Sequence, residues 1–250
     1  MLKNFDDLLQ QAKKLKKVKV SVAAAEDEAV LTAVKYASDL GFIDPILVGD
    51  EEKIKSIASK IELKNYEVVN STSAEESAKI AVKLVKENKA KVLMKGIVNT
   101  SVYLRAILNR ENGLRSGRLL SLLAVYELPQ YHKLLYCTDS GINVAPDLKQ
   151  KKDIMTNALL SMKSIGIENP KTAILTANEM LDPKVQSTVD ADALVKMVNN
   201  NEIPSCIAEG PIAFDVAFDE HAAKHKGIDS KIAGDVDLLE IGRASCRERG

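Results

Sequence analysis

Cysteine is scarce in these 250 residues: Cys137, Cys206 and Cys246 lie far apart, with no CxxC and only three histidines to accompany them. A disulfide framework or a zinc site needs closely spaced ligands, so both are disfavoured. His221 and His225 share a helix face but lack the further ligands that would complete a zinc set, and they read as a solvated helix end. Net charge is also missing, with 35 basic residues against 35 acidic ones. No global field draws the chain to nucleic acid or to a membrane surface, and charge has to be read locally. No apolar run approaches the ~20 residues that cross a bilayer. The opening "MLKNFDDLLQQAKKLKK" scatters acids and lysines where a signal peptide would be apolar. Together these absences predict a cytoplasmic protein that engages neither nucleic acid nor membrane.

Apolar residues make up 46% of the chain, enough to bury a real core. Short apolar runs alternate with stretches of helical period, the pattern of βα units on a mainly parallel sheet. A leading amphipathic helix is expected over about 3–17, then strands at "VKVSVAAA", "PILVGD", "YEVVN" and "AKVLM" with helices between them. "LLSLLAVYEL" and "KLLYCTD" read as neighbouring strands across the turn signal "PQYH". The pattern predicts a first α/β lobe over about 1–138 and a second over 139–239.

Arginine is the other scarcity. It occurs seven times against 28 lysines, and Arg105, Arg110, Arg115 and Arg118 fall within fourteen residues. Guanidinium grips phosphate or carboxylate two bonds at a time, which an ammonium does not do. Lys95-Gly96 follows the strand "VLM", and Asn99, Thr100 and Ser101 supply caps for the helix that carries Arg105. Ligands of open α/β sheets bind beyond the carboxyl ends of strands, and a helix N-terminus offers amides to an anion. Gly96 lets a ligand approach the backbone closely. The segment is neither a P-loop nor a GxGxxG fingerprint.

Two further constellations stand at strand ends. In "CTDSGINVAPD", Asp139 is placed to accept a proton, to orient a substrate group or to cap the turn, with Thr138 and Asn143 beside it. In "AEGPIAFDVAF", Gly210-Pro211 punctuates a strand end and Asp215 stands among apolar neighbours, where an acid is expected to be paired or functional. Lys224 and Lys226 add cations nearby, and Cys137 reads as a buried structural thiol.

The ordered set "LMKGIVNTSVYLRAILNRENGLRSGRLLS", "LLYCTDSGINVAPDLKQKKDI", "DADAL", "EGPIAFDVAF" and "HKGIDSKIAGDVDLL" resembles the phosphate acetyl/butyryltransferase family over residues 1–239. It looks most like the butyryl branch, because Lys95-Gly96 and Asn99-Thr100 stand where acetyl enzymes more often carry Ser-Gly and His-Thr. The resemblance implies acyl transfer between coenzyme A and inorganic phosphate, with coenzyme A as substrate or product and no tightly bound cofactor or metal. It implies a two-lobed fold of the isocitrate/isopropylmalate dehydrogenase type, an active cleft between lobes and a homo-oligomer. On that reading Arg105 and Lys95 hold phosphate, with Asn99 and Thr100 as neutral donors and Gly96 at the backbone. Asp139 or Asp215 assists the thiol or orients a cation. Arg115 and Arg118 meet coenzyme A phosphates or support the lobe, and Asn143, Gly210 and Lys226 complete the substrate-binding set. Rival readings are a non-catalytic coenzyme A- or phosphate-binding remnant, and an NAD(P)-dependent decarboxylating dehydrogenase, whose metal-binding aspartates are not evident.

The end of the chain breaks the pattern. Read in one frame, the common sequencing-library adapter encodes Glu-Ile-Gly-Arg-Ala-Ser-Cys-Arg-Glu-Arg, the residues at positions 240–249. Residues 240–250 are therefore expected to be a non-native tail, with a natural chain that continues past Leu239 and a fold truncated at its C-terminus.

Overall fold

The computed structural model describes residues 2–241. Residues 242–250, which hold most of the adapter-like string and its arginines, lie outside the described residues. Two compact units divide the chain, Leu8–Gly117 and a second formed by the residues up to Asp7 together with Arg118 onward. The boundary expected after 138 therefore moves to 117/118, because residues 124–126 and 135–138 pair within the second sheet and the residues around them go with it.

The chain opens with α1 (Phe5–Ala12), shorter than the expected 3–17 because lysines at 13, 14, 16 and 17 leave no apolar face to bury. The first unit then runs β1 (Val18–Ala23), α2 (Glu28–Asp39), β2 (Ile43–Gly49), α3 (Glu51–Lys60), β3 (Glu67–Asn70), α4 (Ala74–Lys86), β4 (Val92–Lys95) and α5 (Thr100–Ile107). Side-chain caps set the helix starts: Asp27 accepts from the Val30 amide at 3.0 Å, Asp50 from Lys53 at 3.1 Å and Ser73 from Glu76 at 3.2 Å. The four strands are all parallel in the order β3-β2-β1-β4. Leu31 and Val34 of α2 and Ile54 of α3 pack on Val20, Val22 and Leu47. Ala81 of α4 joins a separate cluster with Ala23 and Val48. Strand order reverses direction at β1, so the crevice beyond the carboxyl ends of β1 and β4 is the topological switch point.

The second unit contains β5 (Ala124–Tyr126), β6 (Leu135–Thr138), α6 (Leu148–Ser164), β7 (Lys171–Leu175), α7 (Gln186–Asn199), β8 (Ile207–Ile212), α8 (Phe214–Phe218), α9 (Glu220–His225) and β9 (Leu238–Glu240). Its sheet order is β5-β6-β9-β7-β8, parallel except for the β5/β6 pair. Only three residues of the expected strand at 119–128 join the ladder. Side chains of α6 and of the last residue of β6 occupy backbone groups of 119–122 instead. Asp153 accepts from the Leu119 amide at 3.0 Å, Asn157 Nδ2 donates to the Leu119 carbonyl at 2.7 Å, and Thr138 Oγ1 donates to that of Leu122 at 2.6 Å.

Strand β9 is clamped at its start by charge. Lys133, 1% exposed, lies 2.6 Å from Asp237 and 2.7 Å from Asp235, and Asp235 also meets Lys171 at 2.7 Å and His132 at 2.9 Å. Burial pushes the Asp235 carboxyl up, but hydrogen bonds from Lys133, Lys171 and His132 outweigh it and hold the group well below the usual carboxylate range. Among the described residues no helix is long and apolar enough to cross a membrane.

Candidate functional site

The switch point of the first unit carries a cleft of about 450 Å³, lined by Asp27, Val30, Lys95, Gly96, Ile97, Val98 and Asn99. Its floor is built by backbone. Strands β1 and β4 finish side by side with Ala23 opposite Lys95, and the Gly96 and Ile97 amides then donate to the Ala23 and Ala24 carbonyls, each at 2.8 Å. A Cβ on Gly96 would lie 2.1 Å from the Ala24 oxygen and 2.6 Å from that of Ala23. Glycine is required there by the chain's own packing, before any ligand is considered. Val98, 4% exposed, anchors the turn against Ala24 and Ala78. Asn99 then starts α5, its Oδ1 accepting from the Ser101 amide and hydroxyl at 2.9 Å each. Thr100 is the exposed first residue of that helix, and the Lys95 side chain is exposed at the rim.

Asp27 belongs to the same cleft and was not among the sequence candidates. Its signal, an aspartate at the N-cap of α2 just past the end of β1 in "AAAEDEA", was not singled out in the sequence. The cleft thus brings together the starts of two capped helices, one ammonium and one carboxylate.

Arg105 is elsewhere. It lines a cavity of about 590 Å³ between α4 and α5 with Glu75, Lys79, Lys83, Asn109 and Asn112 at the edges and Ile80, Val82, Val102 and Ala106 below. Five residues past Thr100 at ~100° each carries a side chain about 140° around the helix, and Arg105 lines the cavity beside α4 rather than the switch-point cleft. The expectation that Lys95 and Arg105 grip one phosphate does not match this placement. The Glu75 carboxyl is held below its ordinary value by the hydrogen bond and charge of Lys79, with a smaller contribution from Arg105.

Arg115 is exposed and lines neither cavity. Arg118 belongs to the second unit, where its Nε donates to Asn157 of α6 at 2.8 Å. Of the two roles considered for it, support of the lobe is the one this contact serves.

In the second unit Asp139, 1% exposed, closes the end of β6. Its Oδ1 accepts from the Gly141 and Ile142 amides at 2.9 Å each, and its Oδ2 from Asn143 Nδ2 at 2.6 Å and the Asn143 amide at 3.3 Å. Asn143 Nδ2 also donates to the Leu120 carbonyl at 3.0 Å. With both oxygens occupied, Asp139 organises the loop at 139–143. Asp215 is not buried as its apolar neighbours suggested: it is exposed at the start of α8, whose Val216 and Ala217 take the core positions. It pairs with Lys226 at 2.9 Å, and Lys226 also meets Glu179 at 2.5 Å. The hydrogen bond from Lys226 holds the Asp215 carboxyl below its ordinary value. Gly210 is a packing residue, since a Cβ there would stand 2.8 Å from that of Ile174.

The sequence profile described as phosphate acetyl/butaryl transferase matches residues 4–81 and 72–240. The chain belongs to this family. The phosphate butyryltransferase of Clostridium acetobutylicum is 44% identical over 241 residues, covering 96% of this chain and 80% of that protein. A phosphate acetyltransferase of Rickettsia felis is 36% identical over 242 residues, covering 96% and 69%. Among solved structures, a branched-chain phosphotransacylase from Enterococcus faecalis superposes with a TM-score of 0.79 at 28% identity, over 93% of this chain and 82% of that one. Family membership accounts for the mixed α/β architecture with mainly parallel sheets and gives the switch-point cleft a chemical context.

Proposed function

We infer that the chain moves a short-chain acyl group, butyryl in the first instance, between coenzyme A and inorganic phosphate to form an acyl phosphate. The observation that carries this reading is the switch-point cleft, where Lys95 and the capped start of α5 stand beside backbone that only Gly96 permits. A phosphate oxygen attacks the thioester carbonyl, the carbon–sulfur bond breaks, and the thiolate leaves and takes up a proton. Lys95, with Asn99 and Thr100 as neutral donors, holds the phosphate against that carbonyl and offsets its charge, and positioning of this kind accounts for much of the barrier in acyl transfer. The Arg105 cavity, with an apolar floor and three cations at its edge, suits a phosphate-bearing part of coenzyme A. Asp139 or Asp215 assists the thiol step indirectly in our assignment, Asp139 through the loop it holds and Asp215 through Lys226. Preference for butyryl over acetyl rests on Lys95-Gly96 and Asn99-Thr100 and on the higher identity to the butyryl relative, 44% against 36%.

We further propose a two-lobed fold of the isocitrate/isopropylmalate dehydrogenase type, a homo-oligomer, cytoplasmic residence and no tightly bound cofactor. Support for these comes from the family resemblance. The test is release of coenzyme A from butyryl-CoA and acetyl-CoA, with and without phosphate. It is run on this chain and on a chimera whose residues from 240 onward are replaced by the end of the C. acetobutylicum relative. Phosphate-dependent release in the chimera, faster with butyryl-CoA, is expected, and Lys95→Ala should raise KM for phosphate about tenfold or more, the loss of ~1.4 kcal/mol or more. Release independent of phosphate in both proteins would refute the assignment.

A further inference from the structure

Strand β9 is the centre of the five-stranded sheet, with Glu240 paired to Thr138 of β6 on one side and to Ile174 of β7 on the other. Side chains alternate along a strand, so Leu239 enters the apolar cluster of α8 and α9 while Leu238 and Glu240 face the opposite way. Leu238 is 0% exposed and Glu240 2%. The Glu240 Oε1 atom is buried and has no hydrogen-bond partner among the described residues.

Three charged groups act on that carboxyl: Lys151 from α6, Asp190 from α7 and Asp139 from the segment after β6. Lys151 is already committed, its ammonium 2.8 Å from Asp190 Oδ2, while Asp190 Oδ1 accepts from Gln186 Nε2 at 2.7 Å. Glu240 therefore meets one cation that is already matched and two further acids. Lys151 offsets only part of the loss of water from the carboxylate, which the two acids oppose further. Glu240 is also the first residue of the adapter-like string, an observation independent of its burial.

We propose that position 240 is shaped for an aliphatic side chain and that Glu240 is foreign to it, leaving a buried acid that works against the second unit's own sheet. Burial, together with Asp190 and Asp139, raises its pKa to about 7 against the opposing pull of Lys151, from an ordinary value of 4.5. An acid whose folded pKa is raised costs nothing below its unfolded value. The cost grows from there up to the folded value and is complete above it. Between those limits the folding equilibrium constant falls by about 300-fold.

The experiment is urea unfolding of the whole 250-residue chain and of its Glu240→Leu and Glu240→Gln variants at pH 5.5 and pH 8.5. Glu240→Leu should be at least as stable as the parent at the lower pH and on the order of 100-fold more stable in unfolding equilibrium at the higher one. Glu240→Gln should abolish most of the parent's loss between the two pH values. A Glu240→Leu variant less stable than the parent at pH 8.5, or a gap that does not change with pH, would overturn the proposal. The readout is stability, so its failure is distinct from failure of the acyl-transfer reading.

Discussion

Replacing Asp139 with alanine removes one acceptor that four donors share. Three of the contacts, at 2.6, 2.9 and 2.9 Å, are well formed, and the fourth at 3.3 Å is weak. A hydrogen bond to a charged acceptor contributes about 1.5–3 kcal/mol, and bonds that share one acceptor do not add. Two offsets reduce the total: the carboxylate no longer has to be buried, and the amides of Gly141 and Ile142, both exposed residues, can turn to water. A net loss of about 2–4 kcal/mol follows. Asparagine keeps the shape but supplies one oxygen, so its amide must face a donor of Asn143 or of the loop, and about half that loss is expected. Urea unfolding gives both values, and the pH profile of acyl transfer, measured on the same proteins, separates the roles. If Asp139 only positions the loop, activity falls with stability and the profile keeps its shape. An Asp139→Asn protein of parental stability that has lost activity, and with it the acidic limb of the profile, would identify the group as the proton acceptor and refute this account.

Lys133→Met leaves Asp237 nearly buried with no cation and only the Lys171 amide at 2.8 Å among the described residues, while Asp235 keeps Lys171 and His132. A loss of about 3–5 kcal/mol is expected by urea unfolding, and less than 1 kcal/mol would show that the clamp on β9 is dispensable. Gly96→Ala forces backbone movement at the meeting of β1 and β4. A destabilisation of about 1–3 kcal/mol, with a raised KM for phosphate, should appear together, and a variant with parental stability and kinetics would argue against the close approach of Gly96 to Ala24.

Much of the architecture was legible locally. The cap at Asn99 is a side-chain bond to an amide two residues away, so the sequence window that contains the cap also contains its partner. The alternation of strand and helix gave the parallel sheets for the same reason. Lys95, Gly96 and Asn99 share a turn and were found together because the turn itself holds them. Arg105 was grouped with them by closeness in sequence, and helix rotation sent it to another cavity.

Periodicity and caps thus determined the elements and their type, and the ordered motifs carried the resemblance to the family to which the chain belongs. Tertiary structure alone decided that residues 118–138 belong to the second unit, that Asp215 is solvated while Asp139 is enclosed, and that Lys133, Asp235 and Asp237 lock a strand. It also decided that a glutamate lies in the middle of that sheet beside Lys151 and Asp190. Those outcomes depend on partners tens of residues away. Desolvation and pairing, which set the energy of a charge, are properties of the assembled surroundings and are not written in the neighbouring residues.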